Sequence, residues 1–344
     1  MSNRCKIGVL GAGTWGMALA RMLCLAGHDV TVWSAIEKEI DDLSNTRRHP
    51  NLADIELPEQ IAYTKKIEEV CLEKDILLLA VPSPFVRATA RKMAPLVFDG
   101  QIIVDVAKGI EENTLYTMTQ IIADEIQNPE VKLVALSGPT HAEEVVKDLP
   151  TTIVSASKDA DAALLVQKVF TTPCMRVYTN DDVLGVEICG ALKNIIALAS
   201  GIAMGLGCGD NTKAALITRG IAEISRLGLA MGCRTETFGG LAGIGDLIVT
   251  ATSMHSRNLR CGMLLGQGVS AAEATRQVGM VVEGLNALPA ALSLSKRYGV
   301  EMPIIETVDA VVSGRVSVSD AIRTLMSRDL KSELSGTSFD NRYD

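Results

Sequence analysis

A chain of 344 residues is long enough for two packed domains. With 47% apolar and 22% charged residues it is neither disordered nor fibrous, and a net charge of −8 argues against broad binding to a nucleic-acid backbone. Aromatics supply only 3%, so the core must come from Ala, Val, Ile and Leu, which suits buried parallel strands and close-packed helices rather than an all-β sandwich.

The chain opens Met1-Ser2-Asn3-Arg4-Cys5-Lys6 and passes into a short apolar run that soon meets glycine, a pattern that fits no signal peptide. Apolar runs at 6–10, 29–33, 76–81, 102–106, 133–136, 152–155 and 175–178 predict strands. Helices are predicted between several of them, over 15–25, 84–93 and 114–126. Strand–helix–strand in this rhythm predicts an α/β fold, a Rossmann-type, doubly wound, mostly parallel sheet whose strand carboxyl ends gather along one ligand-binding edge. From about residue 181 strand-like runs stop. Helical periodicity follows at 183–202, 211–230, 256–265, 271–278, 287–298, 304–313 and 319–326. The expected division is a dinucleotide-binding domain at 1–181 and an all-helical substrate-binding and catalytic domain at 182–344, with a polar tail over 330–344 that is poorly ordered at its end. The longest charge-free stretch, 195–209, is too short and too glycine-rich to cross a bilayer, so no membrane insertion is expected. The 8 cysteines stand singly and read as buried hydrophobes of a reducing compartment, which makes the expected location cytoplasmic. His28, His49, His141 and His255 are isolated, and no metal site is expected.

Gly11-Ala12-Gly13-Thr14-Trp15-Gly16 follows the first predicted strand and opens the first helix. In that context Gly11 permits the tight turn, Gly13 lets the backbone approach a pyrophosphate, and Gly16 lets the helix pack on the strand. The second strand ends at Trp33-Ser34, where an NAD-selective site usually places a carboxylate for the ribose hydroxyl. Ser34 stands there instead, the first acid is Glu37, and Arg47 and Arg48 are the nearest arginines. NADP(H) and NAD(H) therefore both remain open. Lys108 lies just beyond the strand at 102–106, and Ser137-Gly138-Pro139-Thr140 ends the next in the same way. Lys108 reads equally as a surface lysine or as part of a polar pocket.

Two segments of the helical half break the rule that buried helices are apolar. Lys193 and Asn194 interrupt an otherwise apolar helix. Lys193 is either a helix-edge lysine reaching water or a buried amine with a lowered pKa, the state a general acid/base needs. In the glycine-dense stretch at 239–250, Asp246 is the only charge, and Ser256-Arg257-Asn258 looks like a phosphate-holding helix start.

Taken together these blocks closely resemble bacterial NAD(P)-dependent glycerol-3-phosphate dehydrogenases. The likeness runs in order over roughly 6–330. It includes Val81-Pro82-Ser83, Lys108-Gly109-Ile110, Gly185-Val186-Glu187, Gly209-Asp210-Asn211 and Val282-Glu283-Gly284. It implies reduction of dihydroxyacetone phosphate to sn-glycerol 3-phosphate, a small phosphorylated substrate, a homodimer and a role in phospholipid precursor supply. Lys193 becomes the proton-transferring residue. Lys108, Gly138, Thr140, Lys193, Asp246, Ser256, Arg257 and Asn258 become the substrate site. Gly11, Gly13, Thr14, Trp15, Gly16, Ser34, Lys108, Ala142, Arg257, Val281 and Glu283 become the cofactor site. The family usually carries one or two basic residues after the second strand, and Ser34-Ala35 departs from that. The rival expectations are a two-domain hydroxyacid dehydrogenase acting on a carboxylate and a non-catalytic dinucleotide-binding regulator.

Overall fold

Apolar runs too short for helices become strands here, and turn residues after them let helices return over the sheet. A computed structural model describes residues 4–52, 54–330 and 332–333; the readings of residues 1–3 and of nearly all the 330–344 tail lie outside the described residues. The first half runs β1 (Lys6–Leu10), α1 (Thr14–Leu25), β2 (Asp29–Trp33), α2 (Glu37–Thr46), β3 (Ala62–Thr64), α3 (Ile67–Cys71) and β4 (Ile76–Leu79). It continues with α4 (Val86–Met93), β5 (Ile102–Asp105), α5 (Met118–Ile126), β6 (Lys132–Ser137), α6 (Ala142–Val145), β7 (Thr151–Ala156), α7 (Ala160–Phe170) and β8 (Met175–Asn180).

The strands form one sheet in the order β3-β2-β1-β4-β5-β6-β7-β8. From β3 to β6 all neighbours are parallel, with Leu10 opposite both Trp33 and Leu79, and Leu79 opposite Asp105. The carboxyl ends of β1, β2, β4 and β5 are thus level. Strand order reverses at β1 and β4, where a doubly wound sheet opens a crevice. Two features add to the sequence expectation of a mostly parallel sheet. β3 is a three-residue edge strand whose Ala62-Tyr63-Thr64 carries too little apolar signal to be read as one. β7 pairs antiparallel with β6, because the link between them holds only the one-turn α6 instead of a helix long enough for a parallel return.

The second half is α8 (Val183–Gly205), α9 (Asp210–Ala230), α10 (Thr235–Phe238), α11 (Asp246–Thr252), α12 (Arg257–Gly266), α13 (Ala271–Val278), α14 (Glu283–Tyr298), α15 (Pro303–Val312) and α16 (Val318–Met326). α8 is long and apolar enough to cross a membrane, but 94% of its most apolar window is buried inside the protein, as its central helix. Two contacts place it. Glu187 accepts hydrogen bonds from Thr119 N at 2.8 Å, Thr119 Oγ1 at 2.6 Å and Thr117 Oγ1 at 2.8 Å, which ties α8 to the start of α5 across the two halves. Gly201 and Gly262 let α8 and α12 meet backbone to backbone: a Cβ on Gly201 would sit 2.2 Å from the Leu259 carbonyl oxygen, and one on Gly262 2.2 Å from that of Leu198. That close approach carries the start of α12 to the same face as Lys193.

Candidate active site

The glycine loop lies between β1 and α1. Gly11 takes a φ of +121°, and a Cβ there would meet the Ala80 carbonyl oxygen at 2.5 Å. A Cβ on Gly16 would lie 2.2 Å from the Gly11 carbonyl oxygen, whereas space above Gly13 is open. No side chain caps α1 and no acid stands in its first turn, so its leading N–H groups remain for an anion. A pyrophosphate fits this cradle on steric and electrostatic grounds alike. Asn51 Nδ2 donates to Thr14 Oγ1 at 3.0 Å and closes one side, a contact the sequence did not reveal.

From the loop a cavity of about 390 Å³ runs between the sheet edge and the helical half. Among the predicted residues, Gly13, Thr14, Trp15, Lys108, Thr140, Ala142, Lys193, Ser256, Arg257, Asn258, Val281 and Glu283 line it. Gly11 and Gly16 shape the loop from beneath, and Gly138 and Asp246 stand behind the lining. Ser34 does not reach the cavity. It is buried at the end of β2, where its hydroxyl donates to Glu39 Oε2 at 2.6 Å. This corrects the reading that no carboxylate stands at the strand end: the first turn of α2 folds Glu39 back onto Ser34, which residue spacing did not disclose. Arg47 and Arg48 turn away from that position, Arg47 Nη1 to the Ile61 carbonyl at 2.8 Å and Arg48 to Glu56 at 3.7 Å.

At the centre of the cavity wall, Asp246 joins two lysines. Lys108 Nζ donates to Asp246 Oδ2 at 2.7 Å and to the Gly138 carbonyl at 3.1 Å, with Thr140 Oγ1 at 3.5 Å. Lys193 Nζ donates to Asp246 Oδ1 and to Thr250 Oγ1, the latter at 2.6 Å. The exposures of the three side chains are 17% for Lys108, 7% for Lys193 and 1% for Asp246, so Lys193 is not a lysine reaching bulk water. Burial lowers its pKa to about 7; Asp246 opposes that shift and Lys108 adds to it. Lys108 is held in line by its stem, which crosses α8 at Gly190, where a Cβ would lie 3.4 Å from Lys108 Cγ. Thr250, one turn beyond Asp246 on α11, also lines the cavity and went unread because a single threonine in a helix gives no signal.

Arg257 opens α12, and no described residue pairs with its guanidinium. Burial lowers its pKa, against Glu283 and Glu143. Arg260, one helical turn on, also lines the cavity, with Nε buried and unpartnered. Neither guanidinium forms a salt bridge with a described residue, and two such cations suit a dianionic group. Ser256 and Asn258 are more structural than the sequence suggested. Ser256 Oγ accepts from Leu259 N at 3.2 Å as the helix cap. Asn258 donates to Asn194 Oδ1 at 2.9 Å and accepts from Gly284 N at 2.9 Å, stitching α8, α12 and α14 together. Glu283 latches the two halves across the cavity mouth, its carboxylate accepting from Ser83 N at 3.1 Å and Ser83 Oγ at 2.6 Å. His141 and His255 line the wall with ring centroids 5.7 Å apart, and burial lowers the pKa of His141.

A dinucleotide cradle and a near-neutral amine facing one cavity are the two needs of nicotinamide-dependent alcohol–ketone chemistry, and this fold and site define an oxidoreductase of that class. Comparison with known proteins narrows the class. Models of the N-terminal and C-terminal parts of NAD-dependent glycerol-3-phosphate dehydrogenase match residues 6–163 and 182–323, and the chain belongs to that family. It is 62% identical over 333 residues to the NAD(P)+-type glycerol-3-phosphate dehydrogenase 2 of Lactobacillus delbrueckii subsp. bulgaricus, covering 96% of this chain and 99% of that one. It is 52% identical to the corresponding Fusobacterium nucleatum enzyme, covering 96% and 98%. A crystal structure of glycerol-3-phosphate dehydrogenase from Coxiella burnetii superposes with a TM-score of 0.90 at 34% identity, covering 94% of this chain and 99% of that one.

Proposed function

We propose that this enzyme reversibly reduces dihydroxyacetone phosphate to sn-glycerol 3-phosphate with NAD(P)H, and that residues 182–344 form its catalytic domain. The observation that carries the mechanism is the Lys193–Asp246–Lys108 cluster on a cavity whose lining also bears Arg257, which forms no salt bridge with a described residue. A bound nicotinamide supplies the hydride in one direction and takes it in the other. Arg257, with Arg260 beside it, grips the substrate phosphate and fixes the ketone against the wall that holds Lys193. Lys193 gives a proton to the carbonyl oxygen during reduction and, as the neutral amine, removes it from the hydroxyl during oxidation. Asp246 and Thr250 aim the amine, and Lys108 keeps its pKa low while contributing a second donor to the substrate oxygens. The Glu283–Ser83 latch and the Glu187 clamp hold the halves at the separation this requires. A homodimer in the cytoplasm, feeding phospholipid synthesis, completes the proposal.

Following NADH and then NADPH consumption with dihydroxyacetone phosphate, against a panel of 2- and 3-keto acids, tests it. Turnover confined to the phosphorylated ketone supports the assignment. Preference for a keto acid would transfer it to the hydroxyacid dehydrogenase reading, and no turnover at all would favour the regulator.

A further inference from the structure

One carboxylate beside the dinucleotide loop has no part in this mechanism. Ser34 ends β2, and its hydroxyl accepts from Ile36 N at 3.1 Å, closing a tight turn, while it donates to Glu39 Oε2 at 2.6 Å. Glu39 N in turn donates to the Ile36 carbonyl at 3.0 Å, so the first turn of α2 is locked onto the strand end. The other carboxylate oxygen, Oε1, has no partner among the described residues and is left to accept. The strand end that carries Ser34 borders the glycine loop, where Gly11 N donates to the Trp33 carbonyl at 2.8 Å. Glu39 acts electrostatically on His49, whose buried ring bonds to the Ala12 backbone, and burial lowers the His49 pKa, leaving a neutral imidazole there rather than a cation. Ala35 and Ile36 are exposed and uncharged, and Arg47 is committed to the Ile61 carbonyl and to the Tyr63 ring, 5.0 Å from its centroid.

We propose that Glu39, held in place by Ser34, sets cofactor choice: it accepts a hydrogen bond from the free 2′-hydroxyl of an adenine ribose and rejects a 2′-phosphate. In a doubly wound fold the adenine ribose passes the end of the second strand, where a carboxylate pairs with the hydroxyl and a guanidinium accommodates the phosphate. Here the carboxylate arrives five positions late in sequence but at the strand end in space, and no arginine competes with it. Rejection comes from placing like charges together, which discriminates more strongly than the attractive contact. This rests on the dinucleotide-dehydrogenase reading and sharpens it to an NADH-preferring enzyme.

Titrating the full-length enzyme with NADH and NADPH by nucleotide fluorescence, alongside kcat/KM for each, tests the proposal. The wild type should bind NADH at least about tenfold more tightly than NADPH. Glu39→Gln, which keeps the size and the contact with Ser34, should tighten NADPH by about that factor and slightly weaken NADH. Ser34→Ala should shrink the preference part of the way. Were Glu39 only a brace for the α2 turn, Glu39→Gln would weaken both nucleotides alike and leave their ratio fixed. A fixed ratio, or a wild type that binds NADPH as tightly as NADH, overturns the proposal. Absence of turnover with dihydroxyacetone phosphate would sink the functional reading instead, and the titrations would still decide the role of Glu39.

Discussion

At the glycine loop of the sheet half, binding capacity comes from backbone: a turn with positive φ, open space over Gly13 and uncapped N–H groups at α1. In the helical half the working groups are charged side chains, Lys193, Asp246 and Arg257, held where charge is costly. The first arrangement binds an anion without needing any titratable group. The second makes burial the main means of tuning, since Lys193 has its pKa lowered to about 7 chiefly because α8 is enclosed, with the nearby Lys108 adding to the shift. Binding and chemistry are therefore separable by mutation, and each region should fail in its own way.

The largest effect should come from Lys193→Ala. Turnover should fall by about 10² to 10⁴, with cofactor affinity retained; near-normal turnover measured at saturation would take Lys193 out of the chemistry. Arg257→Ala should act through the substrate, raising its apparent KM by roughly 10- to 100-fold, the worth of a hydrogen bond to a charged group. An unchanged KM would move the phosphate elsewhere. Gly16→Ala should do the reverse of Lys193→Ala. Its Cβ has to displace the Gly11 carbonyl, an overpacking of about 1–3 kcal/mol, so the cofactor dissociation constant should rise by roughly tenfold while kcat at saturating cofactor changes little.

The same contrast explains what was legible in the sequence. The loop could be read because its requirements are local: glycine at fixed spacing after a strand and before a helix. The limits of β1 and β2 and the change of texture near residue 181 followed from apolar periodicity in the same way. Lys193 and Asp246 were conspicuous as charges in apolar segments, but their partnership joins α8 to α11 and belongs to the tertiary structure alone. Glu39 escaped because helical return, not sequence spacing, brings it to Ser34. Asn258 lines the cavity as its type suggested, and its amide is also bonded to Asn194 and Gly284, a bracing role that residue type does not reveal. The antiparallel turn from β6 to β7 was hidden for a similar reason: the strand pattern has period two in either direction.

The separation of roles rests most directly on the protonation state of Lys193, which pH–rate profiles of kcat in both directions would measure. Reduction needs the ammonium and oxidation the amine. With a pKa of about 7, kcat for reduction should decline as pH rises through neutrality, and kcat for oxidation should climb over the same interval. Profiles that stay level across neutrality in both directions, with chemistry rate-limiting, would contradict the account.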